Sequence, residues 1–307
     1  MPAGGGHLCQ RVNGHIMLYV QSAWSRSRRL EIWRENRMFM RVVVPLVVWS
    51  LLNNHVVAEA PKVVVPLAKA HAHNDYHHKR PLLDALDHGF CSVEADVFLV
   101  GDELQVAHSR SELKPERTLQ SLYLEPLRQR VEQNNGRVYP NGPSFTLMID
   151  IKSEGSATYE ALHKLLSQYE AILTRVQSGR RIAGAIDIVV SGNRATTVIA
   201  ANDPRYVGID GRLSDLNSDQ PADLLPMISD NWSNHFRWRG AGEIPAVEKK
   251  KLREVVTQAH NAGRRVRFWA TPETPAMWME LYDAGVDAIN TDRLDELQAF
   301  LLERRQK

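Results

Sequence analysis

From Pro61 to the C-terminus, short apolar runs alternate with longer stretches in which apolar residues recur every three or four positions. The first pattern predicts strands and the second predicts helices packed on them. Strands are expected at 63–70, 91–97, 104–107, 145–151, 185–190, 206–209, 227–229, 266–270 and 288–290. Helices are expected at 82–88, 119–133, 159–176, 246–262, 275–284 and 294–305, three of them stopping at Gly89, Gly263 and Gly285. Such alternation over roughly 245 residues is the pattern and size of a (β/α)8 TIM barrel. Nine strands are one too many for that fold. Gly101-Asp102 reads as a tight turn, so 104–107 is taken as the arm of a hairpin after the second strand, making the barrel somewhat irregular. A doubly wound open sheet is the alternative. It is weakened because no Gly-x-Gly-x-x-Gly follows the first strand.

Composition narrows the class. With 43% apolar and 24% charged residues the chain is globular. Its net charge of +2 is unevenly spread: residues 1–60 hold seven Arg against three Glu, leaving 31 basic and 33 acidic residues in the body. Without a long basic block, nucleic acid is not an expected partner. Two cysteines, Cys9 and Cys91, exclude a disulfide scaffold and a cysteine-based metal centre. Cys91 is expected to be a small core residue.

The first sixty residues read as a leader. After Met38 or Met40 come Arg41, an apolar run from Val42 to Leu52, and Ala58-Glu59-Ala60. That order matches a secretory signal peptide over 38–60 with cleavage near Ala60, on a periplasmic or secreted protein. Residues 1–37 read as an extension upstream of the true start, or else as an arm carrying a membrane anchor. The apolar run is short of the roughly 20 residues of a spanning helix, so no stable membrane span is expected. Residues 61–307 form the barrel domain.

Chemistry collects where the early strands end. The first leads into His71-Ala72-His73-Asn74-Asp75-Tyr76, the second holds Glu94-Ala95-Asp96, the hairpin arm ends at His108, and the next strand gives Asp150-Ile151-Lys152. Residues two apart on a strand share a face, so Glu94 pairs with Asp96 and Asp150 with Lys152. Singly, each has an ordinary structural use: a buried Glu pairs with Arg or Lys, and a His beside a strand packs in the core. His77, His78 and His88 read as loop or helix surface. Three carboxylates aimed at one mouth repel one another and resist desolvation. A divalent cation relieves that cost, and oxygen ligands favour the hard ions Ca²⁺ or Mg²⁺. Nearby imidazoles suit general acid and base work.

His73…Glu94-x-Asp96…His108…Asp150-x-Lys152 resembles the catalytic pattern of the phospholipase C-like phosphodiesterase superfamily, which contains glycerophosphodiester phosphodiesterases and phosphatidylinositol-specific phospholipases C. The stretch from Gly89 to Val97, and Phe268-Trp269-Ala270-Thr271 followed by the stretch from Ala284 to Asp292, are similar to that group. His73-Asn74-Asp75-Tyr76 with the segment from Pro81 to Leu86 looks closest to its altered inheritance of mitochondria subfamily. The resemblance implies His73 and His108 as the acid–base pair and Glu94, Asp96 and Asp150 as metal ligands. It adds Asn74 as a calcium ligand, by its match to the phospholipase branch, and Lys152 as a fixed charge facing phosphate. The choice of His73 over His71 rests on the match. The pattern departs from glycerophosphodiesterases after the first His, where Asn74-Asp75 replaces Arg-Gly.

The expected function is therefore metal-assisted hydrolysis of a small-molecule or lipid-headgroup phosphodiester. Trp232, Trp238 and Trp269 are candidates to stack on a sugar or headgroup, Trp269 being assigned to substrate binding. An amidohydrolase-type metallohydrolase, built on His71-x-His73 and Asp292, is one alternative, and a non-catalytic ligand-binding barrel is another. The sequence leaves the substrate and the oligomeric state open.

Overall fold

The structure is a computed structural model that describes residues 64–305. The expected leader, both 1–37 and 38–60, and its boundary with the barrel lie outside the described residues.

The strands are β1 (Leu67–Ala72), β2 (Phe90–Val100), β3 (Glu103–Val106), β4 (Phe145–Ile151), β5 (Arg175–Gln177), β6 (Arg180–Ile182), β7 (Ile186–Gly192), β8 (Val207–Gly211), β9 (Met227–Asn231), β10 (Arg265–Trp269) and β11 (Ala288–Thr291). The helices are α1 (Leu83–Asp87), α2 (Glu125–Gln133), α3 (Gly155–Leu166), α4 (Thr196–Ala201), α5 (Trp232–His235), α6 (Ala246–Asn261), α7 (Pro275–Ala284) and α8 (Leu294–Arg305). The sheet runs β1-β11-β10-β9-β8-β7-β4-β2-β3, and β1 also pairs with β2. Eight strands are thus parallel and close on themselves, with β3 antiparallel against β2. This is a (β/α)8 barrel with the expected hairpin, its tip at Gly101, where φ is +60°.

Alternation divides each strand between two cores. On β4, Phe145, Leu147, Ile149 and Ile151 belong to the large core between strands and helices. Met148, on the opposite face, joins Val189, Met227 and Ala288 in a separate buried cluster inside the barrel. Above and below that layer the interior is polar.

Three expectations move. The first strand lies at 67–72 rather than 63–70, so His71 is inside it. The helix expected at 159–176 ends at Leu166, and the chain then forms the β5–β6 hairpin, whose turn places Ser178 and Gly179 at positive φ. The expected helix 119–133 opens with a π-turn, Gln120–Leu124. Helices α4 and α5 have six and four residues, too few to show a helical period. Among the described residues, no helix is long and apolar enough to cross a membrane.

Candidate functional site

The register of neighbouring strands builds the site. Asp96 on β2 stands beside Asp150 on β4, and Glu94 beside Met148. One carboxylate oxygen from each of Glu94, Asp96 and Asp150 lies within 4.8 Å of the others. Gly192, ending β7 at φ +69°, makes room for this arrangement, because a Cβ there would collide with the Asp150 carboxylate.

The three acids are held differently. Glu94 is buried and accepts from Arg267, and its Oε2 lies 3.3 Å from His71 Nε2. Burial opposes its charge, but the guanidinium and the imidazole hold its carboxyl far below the usual range. Asp96 is pushed up to about 6 by burial and by the charges of Glu94 and Asp150, against the Tyr76 hydrogen bond and Lys152. Asp150 is also raised, by burial first, with Lys152 opposing. Lys152 Nζ bridges these two, at 3.0 Å from Asp150 and 3.2 Å from Asp96. Even so, Asp96 Oδ1 and Asp150 Oδ1 are buried with no hydrogen-bond partner among the described residues. Buried carboxylate oxygens seldom stay unpaired. Two such orphans in an all-oxygen cluster fit a hard divalent cation.

Two imidazoles flank the acids. His73, just past β1, has Nδ1 2.8 Å from Asp292 Oδ1. Burial, the largest single effect, would lower its pKa, but the Asp292 hydrogen bond and the charges of Glu94 and Asp292 together outweigh that and raise it. His108 Nδ1 lies 3.2 Å from Asp96 Oδ2, and its side chain is 55% exposed. His71, by contrast, is fully buried on Ser92 and Glu94, and burial with the nearby Arg267 drives it down to about 4. It is neutral scaffolding for Glu94, and His73 is the open member of the pair.

Asn74 adopts the left-handed conformation, φ 47° and ψ 40°, and its Oδ1 lies 2.6 Å from the Tyr76 hydroxyl. That hydroxyl also lies 2.7 Å from Asp96 Oδ2 and 3.1 Å from His108 Nδ1. Tyr76 and Arg267 are parts of the site to which the sequence assigned no role, and Asp292 had one only in the amidohydrolase alternative. Tyr76 and Asp292 stand in quoted motifs, whereas no local signal marked Arg267, 173 residues beyond Glu94.

The tryptophans separate. Trp232 is buried and stacked on Phe236 at 4.0 Å, and Trp238 is buried with Nε1 donating to Ala241 O, so both belong to the core rather than to a stacking surface. Trp269, ending β10, is half-buried. His77 is exposed, its ring centroid 5.9 Å from that of His108, while His78 and His88 are half-buried.

A closed barrel with paired imidazoles around an acidic mouth defines the class as the phospholipase C-like phosphodiesterase superfamily. Residues 59–210 match the AIM6-like phosphodiesterase domain, and residues 265–295 match the glycerophosphoryl diester phosphodiesterase family. Altered inheritance of mitochondria protein 6 of Eremothecium gossypii is 30% identical over 285 residues, covering 80% of this chain and 72% of that protein. A homologue from Arthroderma benhamiae is 28% identical, covering 77% and 84%. The chain belongs to the altered inheritance of mitochondria protein 6 family.

Among solved structures, a glycerophosphodiester phosphodiesterase from Parabacteroides distasonis is 18% identical with TM-score 0.47, covering 78% of this chain and 98% of its own. A calcium-dependent phosphoinositol-specific phospholipase C from a Pseudomonas species is 12% identical with TM-score 0.48, covering 77% and 95%. The relatives correct one expectation. They are fungal proteins named for the inheritance of mitochondria, which overturns the expectation of a periplasmic or secreted setting.

Proposed function

We propose that the protein is a metal-dependent phosphodiester hydrolase acting on a lipid-derived or similar small phosphodiester. The supporting observation is the meeting of Glu94, Asp96 and Asp150 within 4.8 Å, with two orphaned carboxylate oxygens, between His73 and His108. Glu94, Asp96 and Asp150, with Asn74 beside them, would hold Ca²⁺ or Mg²⁺, and such an ion would supply Lewis-acid polarisation and charge neutralisation to a bound phosphodiester. Lys152 sets a cation beside the acids and attracts the phosphate. Each catalytic imidazole is anchored through Nδ1, His73 on Asp292 and His108 on Asp96. That leaves Nε2 of each to exchange a proton: one takes it from water or a substrate hydroxyl, and the other gives it to the leaving alcohol. Trp269, half-buried at the end of β10, offers a face for the rest of the substrate.

An amidohydrolase reading needs His71 as a ligand beside His73, whereas His71 is engaged by Ser92 and Glu94 and Asp292 by His73. The test is hydrolysis of an aryl phosphodiester with and without added Ca²⁺ or Mg²⁺. His73→Ala and His108→Ala should each lower kcat by about 10²–10⁴ while leaving the fold intact. Full activity in either variant refutes the assignment.

A further inference from the structure

A cavity of about 430 Å³ lies at the end of the barrel strands opposite the acidic mouth. Its lining includes Arg175, Arg181, Arg205 and Arg265, against the carboxylates of Asp187 and Asp223. Three of the four guanidiniums are matched. Arg175 pairs with Glu170 at 3.2 Å, Arg181 with Asp187 at 2.9 Å and Arg205 with Asp223 at 3.7 Å. Asp187 is further occupied by the Ser144 hydroxyl at 2.7 Å.

Arg265 is different. It opens β10 two residues before Arg267, so its side chain shares the face that looks into the barrel. It crosses to β4, four strands away on the facing wall, where Nη1 donates to Thr146 Oγ1 at 2.8 Å. No carboxylate among the described residues lies within 4.0 Å of it. The residue is deep enough for burial to lower its pKa, yet its side chain keeps part of its surface on the cavity. A guanidinium drawn largely out of water, with one hydroxyl as its side-chain hydrogen-bond partner, carries a desolvation cost that the more distant carboxylates of Asp187 and Asp287 offset only in part. Its planar fork is shaped to receive two oxygens of one phosphate or carboxylate.

We propose that this cavity binds a small oxyanion seated on Arg265, with the neighbouring guanidiniums adding positive potential and apolar walls such as Ile188 and Val207 accommodating a small organic body. The site is separated from the acidic mouth by the Met148, Val189, Met227 and Ala288 layer and does not depend on the hydrolase reading.

The experiment titrates the full chain by calorimetry with inorganic phosphate and, separately, with succinate, at constant ionic strength against a chloride control. Lys152→Met separates the mouth from the cavity. One saturable site is expected in wild type and in Lys152→Met, weakened by about tenfold or more in Arg265→Met and by less in Arg265→Lys. A response to phosphate alone identifies a phosphate-bearing ligand, and a response to succinate alone a carboxylate. In anion-free buffer Arg265→Met should melt no lower than wild type, because it removes an unmatched charge. A much lower melting temperature there makes Arg265 a structural brace and overturns the proposal. So does binding that survives Arg265→Met, binding lost in Lys152→Met, or no saturable binding above chloride.

Discussion

At the mouth of the barrel, acids outnumber the cations that touch them: Glu94, Asp96 and Asp150 share Lys152 and Arg267, and two carboxylate oxygens stay without partners. At the floor the imbalance is reversed, with Arg265 facing a cavity and forming no ion pair among the described residues. Both ends also contain matched pairs, Glu94 with Arg267 above and Arg181 with Asp187 below. A matched buried pair braces the wall it spans. A leftover charge of one sign is costly by itself and marks the place for a ligand of the other sign. Within one mouth, then, Glu94 is braced by its cation and imidazole, while Asp96 and Asp150 keep the carboxylate oxygens without partners.

The largest expected effect breaks a brace. Arg267→Met leaves Glu94 buried without its guanidinium and should destabilise the protein by about 3–5 kcal/mol, measured by denaturant unfolding. The double variant with Glu94→Gln should recover much of that loss. A single variant as stable as wild type would show that His71 alone suffices to hold Glu94. Next comes Asp150→Asn, which removes charge but not volume. It should lower kcat/KM by about 10²–10³ and raise the cation concentration needed for half-maximal activity, whereas Arg265→Met, at the other end, should change neither. A cation requirement unaltered by Asp150→Asn would detach Asp150 from the metal.

The smallest effect lies outside both ends and calibrates titration in the helical layer. His163 on α3 has a buried Nδ1 without a partner, and burial lowers its pKa. Its folded pKa lies below the unfolded value of about 6.5, so its contribution is present above that pH and lost as the pH falls below it. His163→Phe should therefore flatten part of the stability loss seen by thermal melting as the pH falls below about 6.5, with little change at pH 8. An unchanged acid limb would mean that other groups set it.

Much of the barrel was legible because its signals are local. Glu94-x-Asp96 and Asp150-x-Lys152 show their shared faces through a two-residue period, and the Gly101 turn shows the hairpin. Helix 159–176 was overdrawn because apolar spacing continued past Leu166 into residues that pack as turn and hairpin. Trp232 and Trp238 were ambiguous because composition cannot separate a buried ring from an exposed one.

The sequence by itself determined the alternation of strands and helices and the placing of acids and imidazoles at strand ends. These follow from periodicity and donor chemistry, which act over a few residues. Only the closed barrel decided that Asp292 would grip His73 across 219 positions, that Arg267 would neutralise Glu94, and that Arg265 would be left unmatched at the floor. Those outcomes depend on strand register and barrel closure, which bring distant residues together in ways that no local pattern encodes.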